Sequence, residues 1–202
     1  LLGTTAAWAS DVYIDQAGST STIDITQTGD GNTVGSAGTA STITGDNSDV
    51  DITQTGATNI ADVSSSVGTS GTILDYTATG SSNILAVEID GAADTKLTAT
   101  ITGDSNELTL CGTLGTDAAT ATSATCATGV QADTTESTVA ITGSSNKVAI
   151  AAGAANAINN ITIGANVASG FNIVNLKQSG TDTPNVTLNM DGDSNAVNII
   201  QN

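Results

Sequence analysis

Two cysteines, two small aspartate clusters and a recurring glycine–asparagine pair are the candidate reactive or ligand-binding features of this chain. Histidine is absent, which removes the usual general base and the usual nitrogen ligand for a transition metal. Cys111 and Cys126 alone do not make a zinc site. They bracket a Thr/Ala-rich stretch and read either as a disulfide or as two buried free thiols. A bridge closing a loop of that size adds about 3 kcal/mol on the chain-entropy model, and it argues for an oxidising compartment. Asp46, Asp49 and Asp51 form one acidic cluster, and Asp191 and Asp193 another. Oxygen-rich turns bind calcium, which makes Ca2+ the one cofactor candidate. Such sequences also describe a plain solvated turn, and neither cluster matches an EF-hand loop or a nonapeptide calcium repeat. Paired carboxylates across a groove could hydrolyse a glycoside. The aromatic platforms expected for a sugar are missing, because Trp8, Tyr13, Tyr76 and Phe171 are few and scattered. No catalytic residue is expected, and the chain is not read as an enzyme.

Composition narrows the field further. The 202 residues include 3 Lys+Arg and 20 Asp+Glu, for a net charge of -17. Three scattered cations do not build the cationic surface that displaces counterions from a nucleic acid. No run of roughly 20 apolar residues spans a bilayer. Aromatics make up 2% of the chain, so a core built on large rings is excluded. Hydrophobic content is nevertheless 38%, carried largely by Ile, Val, Leu and Ala, which is too apolar for a disordered linker.

The small residues are arranged periodically. Gly-x-x-Asn recurs at Gly29 to Asn32, Gly56 to Asn59, Gly80 to Asn83, Gly103 to Asn106, Gly143 to Asn146, Gly153 to Asn156 and Gly192 to Asn195, with a looser version at Gly18. Neighbouring glycines fall 10 to 12 residues apart, which gives a full period of about 23. Between the turns apolar and small polar residues alternate, as in Val50-Asp51-Ile52, Leu97-Thr98-Ala99-Thr100-Ile101 and Val197-Asn198-Ile199. A period of two, carried by β-branched residues, predicts strands with one face buried. Gly, Asn and Asp at the turns accommodate positive φ. The expected fold is all-β: a β-solenoid of stacked strand–turn–strand coils with a period of about 23 residues, each coil about 4.8 Å above the last. Residues 10–202 form the solenoid, with an insertion at about 111–126 where consecutive motif glycines stand 40 apart.

One spacing is more specific. Ser10-x5-Gln16-x-Gly18-x2-Ser21, Ser21-x5-Gln27-x-Gly29-x2-Asn32 and Ser48-x5-Gln54-x-Gly56-x2-Asn59 share one pattern. It closely resembles the curlin repeat of bacterial curli amyloid subunits. Later repeats keep Gly and Asn, while the glutamine slot holds Ala78, Ile101, Ile141, Gln178 and Met190. Stacked amides hydrogen-bond up and down a cross-β pile. The residues expected in ladders are Gln16, Gln27, Gln54, Gln178, Asn32, Asn59, Asn83, Asn106, Asn146 and Asn195; the bland alternative leaves the glutamines on the surface of a generic solenoid. Gly18, Gly29, Gly56, Gly80, Gly103, Gly143 and Gly192 are the expected turn residues.

The resemblance implies a secreted structural subunit that polymerises end to end into extracellular fibres for adhesion or biofilm matrix. Its partners are then further copies of itself, with a cell surface or matrix polysaccharide outside. The competing expectation is a virion or cell-surface fibre module that uses the solenoid as a spacer and the 111–126 loop for recognition. Residues 1–9 read as the tail of a signal peptide, with Ala7-x-Ala9 as the cleavage pattern, or as an apolar N-terminal strand.

Overall fold

The computed structural model describes residues 11–29, 31–35, 40–56, 58–65, 71–80, 82–89, 95–103, 105–111, 114–116, 125–126, 134–143, 145–152, 158–164, 172–178, 185–191 and 194–201. The segment 1–9 and Gly192 and Asp193 lie outside them. The described residues contain strands and no helix. In chain order the strands begin with β1 (Asp11–Val12), β2 (Asp15–Ala17), β3 (Thr22–Thr28), β4 (Asn32–Val34), β5 (Ser41–Thr44), β6 (Asp49–Thr55) and β7 (Asn59–Ser65). They continue with β8 (Ile73–Thr79), β9 (Ile84–Ile89), β10 (Thr95–Thr102), β11 (Glu107–Cys111), β12 (Leu114–Thr116) and β13 (Thr125–Cys126). The last are β14 (Thr134–Thr142), β15 (Lys147–Ala152), β16 (Ile158–Gly164), β17 (Ile173–Gln178), β18 (Asn185–Asp191) and β19 (Ala196–Gln201).

These strands build a parallel β-solenoid with a period of about 24 residues. One seven-stranded sheet, here sheet B, runs β3-β6-β8-β10-β14-β16-β18. The facing sheet A runs β1-β4-β7-β9-β11-β15-β17-β19, with β2 and β5 filling the second half of the rungs beside β1 and β4. Each rung therefore crosses from sheet B through a glycine arc to sheet A and returns. Parallel pairing puts a residue directly above its counterpart one coil earlier, as in Ile25↔Ile52↔Tyr76↔Ala99↔Val139↔Ile161↔Leu188.

The alternation seen in the sequence is the alternation of burial. In β6, Val50, Ile52 and Gln54 point inward while Asp49, Asp51, Thr53 and Thr55 point out. The inward sides of both sheets make one continuous core of Ile, Val, Leu and Ala. Among the described residues its one ring, Tyr76, is 1% exposed and fits because its neighbours Ala78 and Ala99 are small. Burial pushes the Tyr76 phenol above its ordinary range, so it stays a neutral donor.

Sheet A has a second, outer layer. Ile84 and Ala86, on its outward side, are buried with Ile60 packed against them. Asp62, Glu107 and Thr109 are buried on the same side. The insertion supplies part of the cover: β12 and β13 form an antiparallel hairpin, in which Leu114 pairs with Cys126, lying against β9, β11 and β15. The loop expected to project for recognition thus folds back on sheet A wherever it is described.

Apart from the inward Gln27 and Gln54, a second sheet B column turns polar along the stack. Ile23, Val50, Leu74 and Leu97 are followed by Ser137 and Asn159. Both polar residues are fully buried, and among the described residues neither Ser137 Oγ nor the Asn159 amide finds a hydrogen-bond partner. A buried unsatisfied polar group costs about 1–3 kcal/mol. Joint replacement Ser137→Val with Asn159→Val should therefore stabilise the protein by about 1–3 kcal/mol. A higher urea midpoint at unchanged slope is the expected reading, and a lower midpoint would show that these groups are satisfied in solution.

Candidate functional site

The residues singled out by the sequence converge on vertical columns, not on a cleft. The asparagine column is the longest. Asn32, Asn59, Asn83, Asn106, Asn146 and Asn172 are each buried at the start of a sheet A rung. Asn106 Nδ2 donates to Asn83 Oδ1 at 2.8 Å, Asn146 Nδ2 to Asn106 Oδ1 at 2.7 Å, and Asn172 Nδ2 to Asn146 Oδ1 at 2.7 Å. Asn195 Nδ2 extends the series to Asn172 Oδ1 at 2.6 Å. At the other end Asn32 Nδ2 donates to Asn59 Oδ1 at 3.1 Å, so the direction of donation reverses. The reversal falls between Asn59 and Asn83. Asn59 Nδ2 bonds the Gly56 and Thr79 carbonyls, and Asn83 Nδ2 is left buried without a partner among the described residues.

Chain separations between bonded asparagines are 27, 23, 40, 26 and 23 residues. Sequence length varies while the spatial column does not, because extra residues are taken up outside the rungs. Asn172 was missed by the Gly-x-x-Asn pattern, since it lies eight residues after Gly164. The signal that finds it is the run Asn172-Ile173-Val174-Asn175-Leu176, which repeats the alternation of Asn146-Lys147-Val148-Ala149-Ile150.

The glutamines divide. Gln27 and Gln54 are register partners, and Gln54 Nε2 donates to Gln27 Oε1 at 2.9 Å. Both amides also bond the facing arm of the arc: Gln27 Nε2 to the Thr33 carbonyl at 3.1 Å and Gln54 Nε2 to the Ile60 carbonyl at 2.9 Å. The next rung has Ala78 in this slot, and Tyr76 Oη reaches back to donate to Gln54 Oε1 at 2.8 Å. Beyond it the column is Ile101, Ile141, Ile163 and Met190. Gln16 and Gln178 do not join it. Both lie on sheet A, where Gln16 is paired with Ile43 and donates to Ser21 Oγ at 2.6 Å, and Gln178 is paired with Ala152 and Gln201. Their shared Gln-x-Gly spacing marks arcs that leave sheet A for sheet B, the opposite sense to the arcs at Gly29 and Gly56.

Glycines form the third column. Gly56 and Gly80 have φ of +152° and +141°, and Gly29 and Gly103 have similar values. A Cβ on Gly80 would collide with the Gly56 carbonyl oxygen, and one on Gly56 with that of Gly29. The close approach is used: Gly56 N donates to the Thr79 carbonyl at 2.9 Å and Gly80 N to Thr102 at 3.0 Å. Gly18 belongs to a separate column on the other edge, under Gly45.

Carboxylates stack as well. Asp24, Asp51 and Asp75 are register partners on the outward side of sheet B, beside a shallow groove of about 430 Å³. Loss of solvation within this stack, then the charges of Asp49, Asp75 and Asp24, raise the pKa of Asp51. An acid whose pKa is higher folded than unfolded adds stability below its unfolded pKa, and that stability is lost as pH rises through the folded value. Asp51→Asn should therefore raise the thermal midpoint at neutral pH, and the gain should vanish on acidification through the ordinary value of 3.8. A gain independent of pH would contradict this. Asp46 is exposed on the turn that precedes β6. Among the described residues no three acidic or cysteine side chains converge as a metal-ligand set. Two of the three cations are placed to bridge rungs, Lys96 to Glu136 at 3.3 Å and Lys147 to Glu107 at 3.6 Å.

Cys111 is fully buried at the end of β11. The chemistry these columns support is templating: each rung offers the next the same amide, glycine and aliphatic positions it received. No protein-family model matches the chain, and no curated protein or solved structure matches it either.

Proposed function

We propose that the protein is a structural subunit that polymerises by stacking further copies onto its rungs, as a curli-like extracellular fibre for adhesion or matrix. The observation that carries this reading is the repetition of one stacking surface. Asparagine lies on asparagine from rung to rung, with buried amides bonded across the layers. A surface that is its own complement needs no second component to extend. The rung β18–β19 displays such a surface. Val197 and Ile199 are 49% and 40% exposed, although their register partners Val174 and Leu176 are 1% and 2% exposed. An open parallel strand with exposed inward residues is a template for another strand.

The Cys111–Cys126 disulfide belongs to the same reading, because it would hold the hairpin on sheet A in an oxidising extracellular setting. Alkylation with and without reductant, followed by mass measurement, tests it; two labelled cysteines without reductant would refute the bridge.

Seeded elongation tests the function. Purified protein is expected to elongate on preformed seeds with growth proportional to seed ends. Ile199→Pro removes a ladder donor and fixes φ, so it should cap growth from that edge. The outward Asn175→Ser should elongate normally. Monomers that persist at high concentration, or a proline variant that elongates at the parent rate, would refute the proposal.

A further inference from the structure

The outward side of sheet B carries a feature that stacking does not use. Thr26-Gln27-Thr28, Thr53-Gln54-Thr55, Thr77-Ala78-Thr79 and Thr100-Ile101-Thr102 occupy four consecutive rungs in register. The middle residue of each points into the core, so both threonines of each triplet point out, and all eight are exposed. Thr142 continues one column onto a fifth rung. The result is a two-column array with spacings of about 4.8 Å between rungs and about 6.6 Å along a strand. Threonine is stiff at χ1, so the hydroxyls and methyls are held as a lattice at little further entropic cost.

Strand propensity does not account for the array. Sheet A has the same backbone and the same register, yet one of its outward columns reads Thr33, Ile60, Ile84, Glu107, Lys147, Ile173. A preference of strands for threonine would act on both sheets. Sheet A is also partly covered by the hairpin, whereas the threonine array is open. The two threonine columns are themselves uncharged, and the Asp24–Asp51–Asp75 column flanks them on one side, two residues back along the first three strands, so the uncharged lattice fits a neutral partner seated on the threonines. A second copy on this face would set its own Asp24–Asp51–Asp75 column against a chain of charge -17. A polysaccharide would call for aromatic platforms, and the array has none.

We infer that the Thr-x-Thr face of sheet B is an ice-binding surface, a rigid array of hydroxyls and methyls matched to the periodic water positions of a growing ice face. The partner is crystalline water, whose surface oxygens repeat on spacings close to those of the array and which needs neither counter-charge nor ring stacking. This inference is independent of end-to-end stacking, because it uses a lateral face that remains open whether or not rungs are added.

The test observes single ice crystals and ice recrystallisation in dilute solutions of the full chain, beside an equal mass of an unrelated acidic protein. Faceted crystals and arrested coarsening are expected from the parent chain. Thr53→Tyr with Thr77→Tyr should lose both effects while keeping the parent strand signal in circular dichroism. Thr100→Lys, a single change at the edge of the array, serves if the double variant misfolds and should also lose them. Asn175→Tyr, on the outward side of sheet A, should retain them. Rounded, freely coarsening crystals with the parent chain overturn the inference. So does full activity in folded T53Y/T77Y or T100K, equal loss in N175Y, or retention on microcrystalline cellulose with no effect on ice.

Discussion

Gly80→Ala should destabilise the protein by more than about 3 kcal/mol, while Gly29→Ala costs only about 1–3 kcal/mol. The two glycines share a backbone conformation, with φ of +141° and +136°. They differ in what lies beneath. A Cβ at Gly80 meets the carbonyl of Gly56, whereas a Cβ at Gly29 meets nothing within 4 Å. Gly29→Ala therefore reports the backbone penalty alone, and the excess at Gly80 reports the close approach of stacked arcs. The added methyl must push two rungs apart, and the hydrogen bonds from Gly80 N to Thr102 and from Gly56 N to Thr79 lengthen with it. Urea unfolding of both variants, followed by far-ultraviolet circular dichroism, measures the difference. Equal losses would mean that the arcs are not in contact.

Asn106→Ala should cost about 2–5 kcal/mol. The substitution removes the donor to Asn83 Oδ1 and the acceptor for Asn146 Nδ2 together. Both partners are fully buried, so neither can turn to water. Asn83 already has an unpartnered Nδ2 among the described residues, so losing the bond to its Oδ1 strips the ladder contact from a side chain that has no water to replace it. Asn195→Ala makes the comparison: its side chain is exposed, and the loss is a single hydrogen bond worth about 1 kcal/mol. Amide exchange should show protection falling on both sides of residue 106. A loss confined to one neighbouring rung would mean that the ladder does not couple layers.

Much of this architecture was legible because a solenoid repeats its constraints in sequence. Gly-x-x-Asn recurs at the arcs that lead into sheet A, so Asn32, Asn59, Asn83, Asn106, Asn146 and Asn195 were legible as one column, whereas Gly153 to Asn156 shares the spacing but follows a sheet A strand and lies outside the described residues. The alternation of Val50, Ile52 and Gln54 with Asp51 and Thr53 marked which side is inside. What stayed hidden is the sense of each arc. Gln16-x-Gly18 and Gln27-x-Gly29 have the same local chemistry, yet one arc leaves sheet A and the other leaves sheet B. Only the pairing partners, Ile43 for Gln16 and Gln54 for Gln27, distinguish them.

Asn172 was hidden for a different reason. Its column position is fixed by the strand that follows it, not by the glycine before it, so a longer arc broke the spacing without moving the side chain. The outward threonines were present in the sequence but looked like ordinary strand formers. Their meaning depends on register across four rungs, which no single strand displays.

On the proposed function, growth continues the same stack of rungs from one molecule to the next. Electron cryomicroscopy of elongated filaments tests it most directly. The expected filament is no wider than one solenoid, with strands perpendicular to its axis and a layer spacing of about 4.8 Å that runs unbroken through every joint. Filaments in which solenoids lie side by side, or in which the layer spacing is interrupted at each molecule, would contradict it.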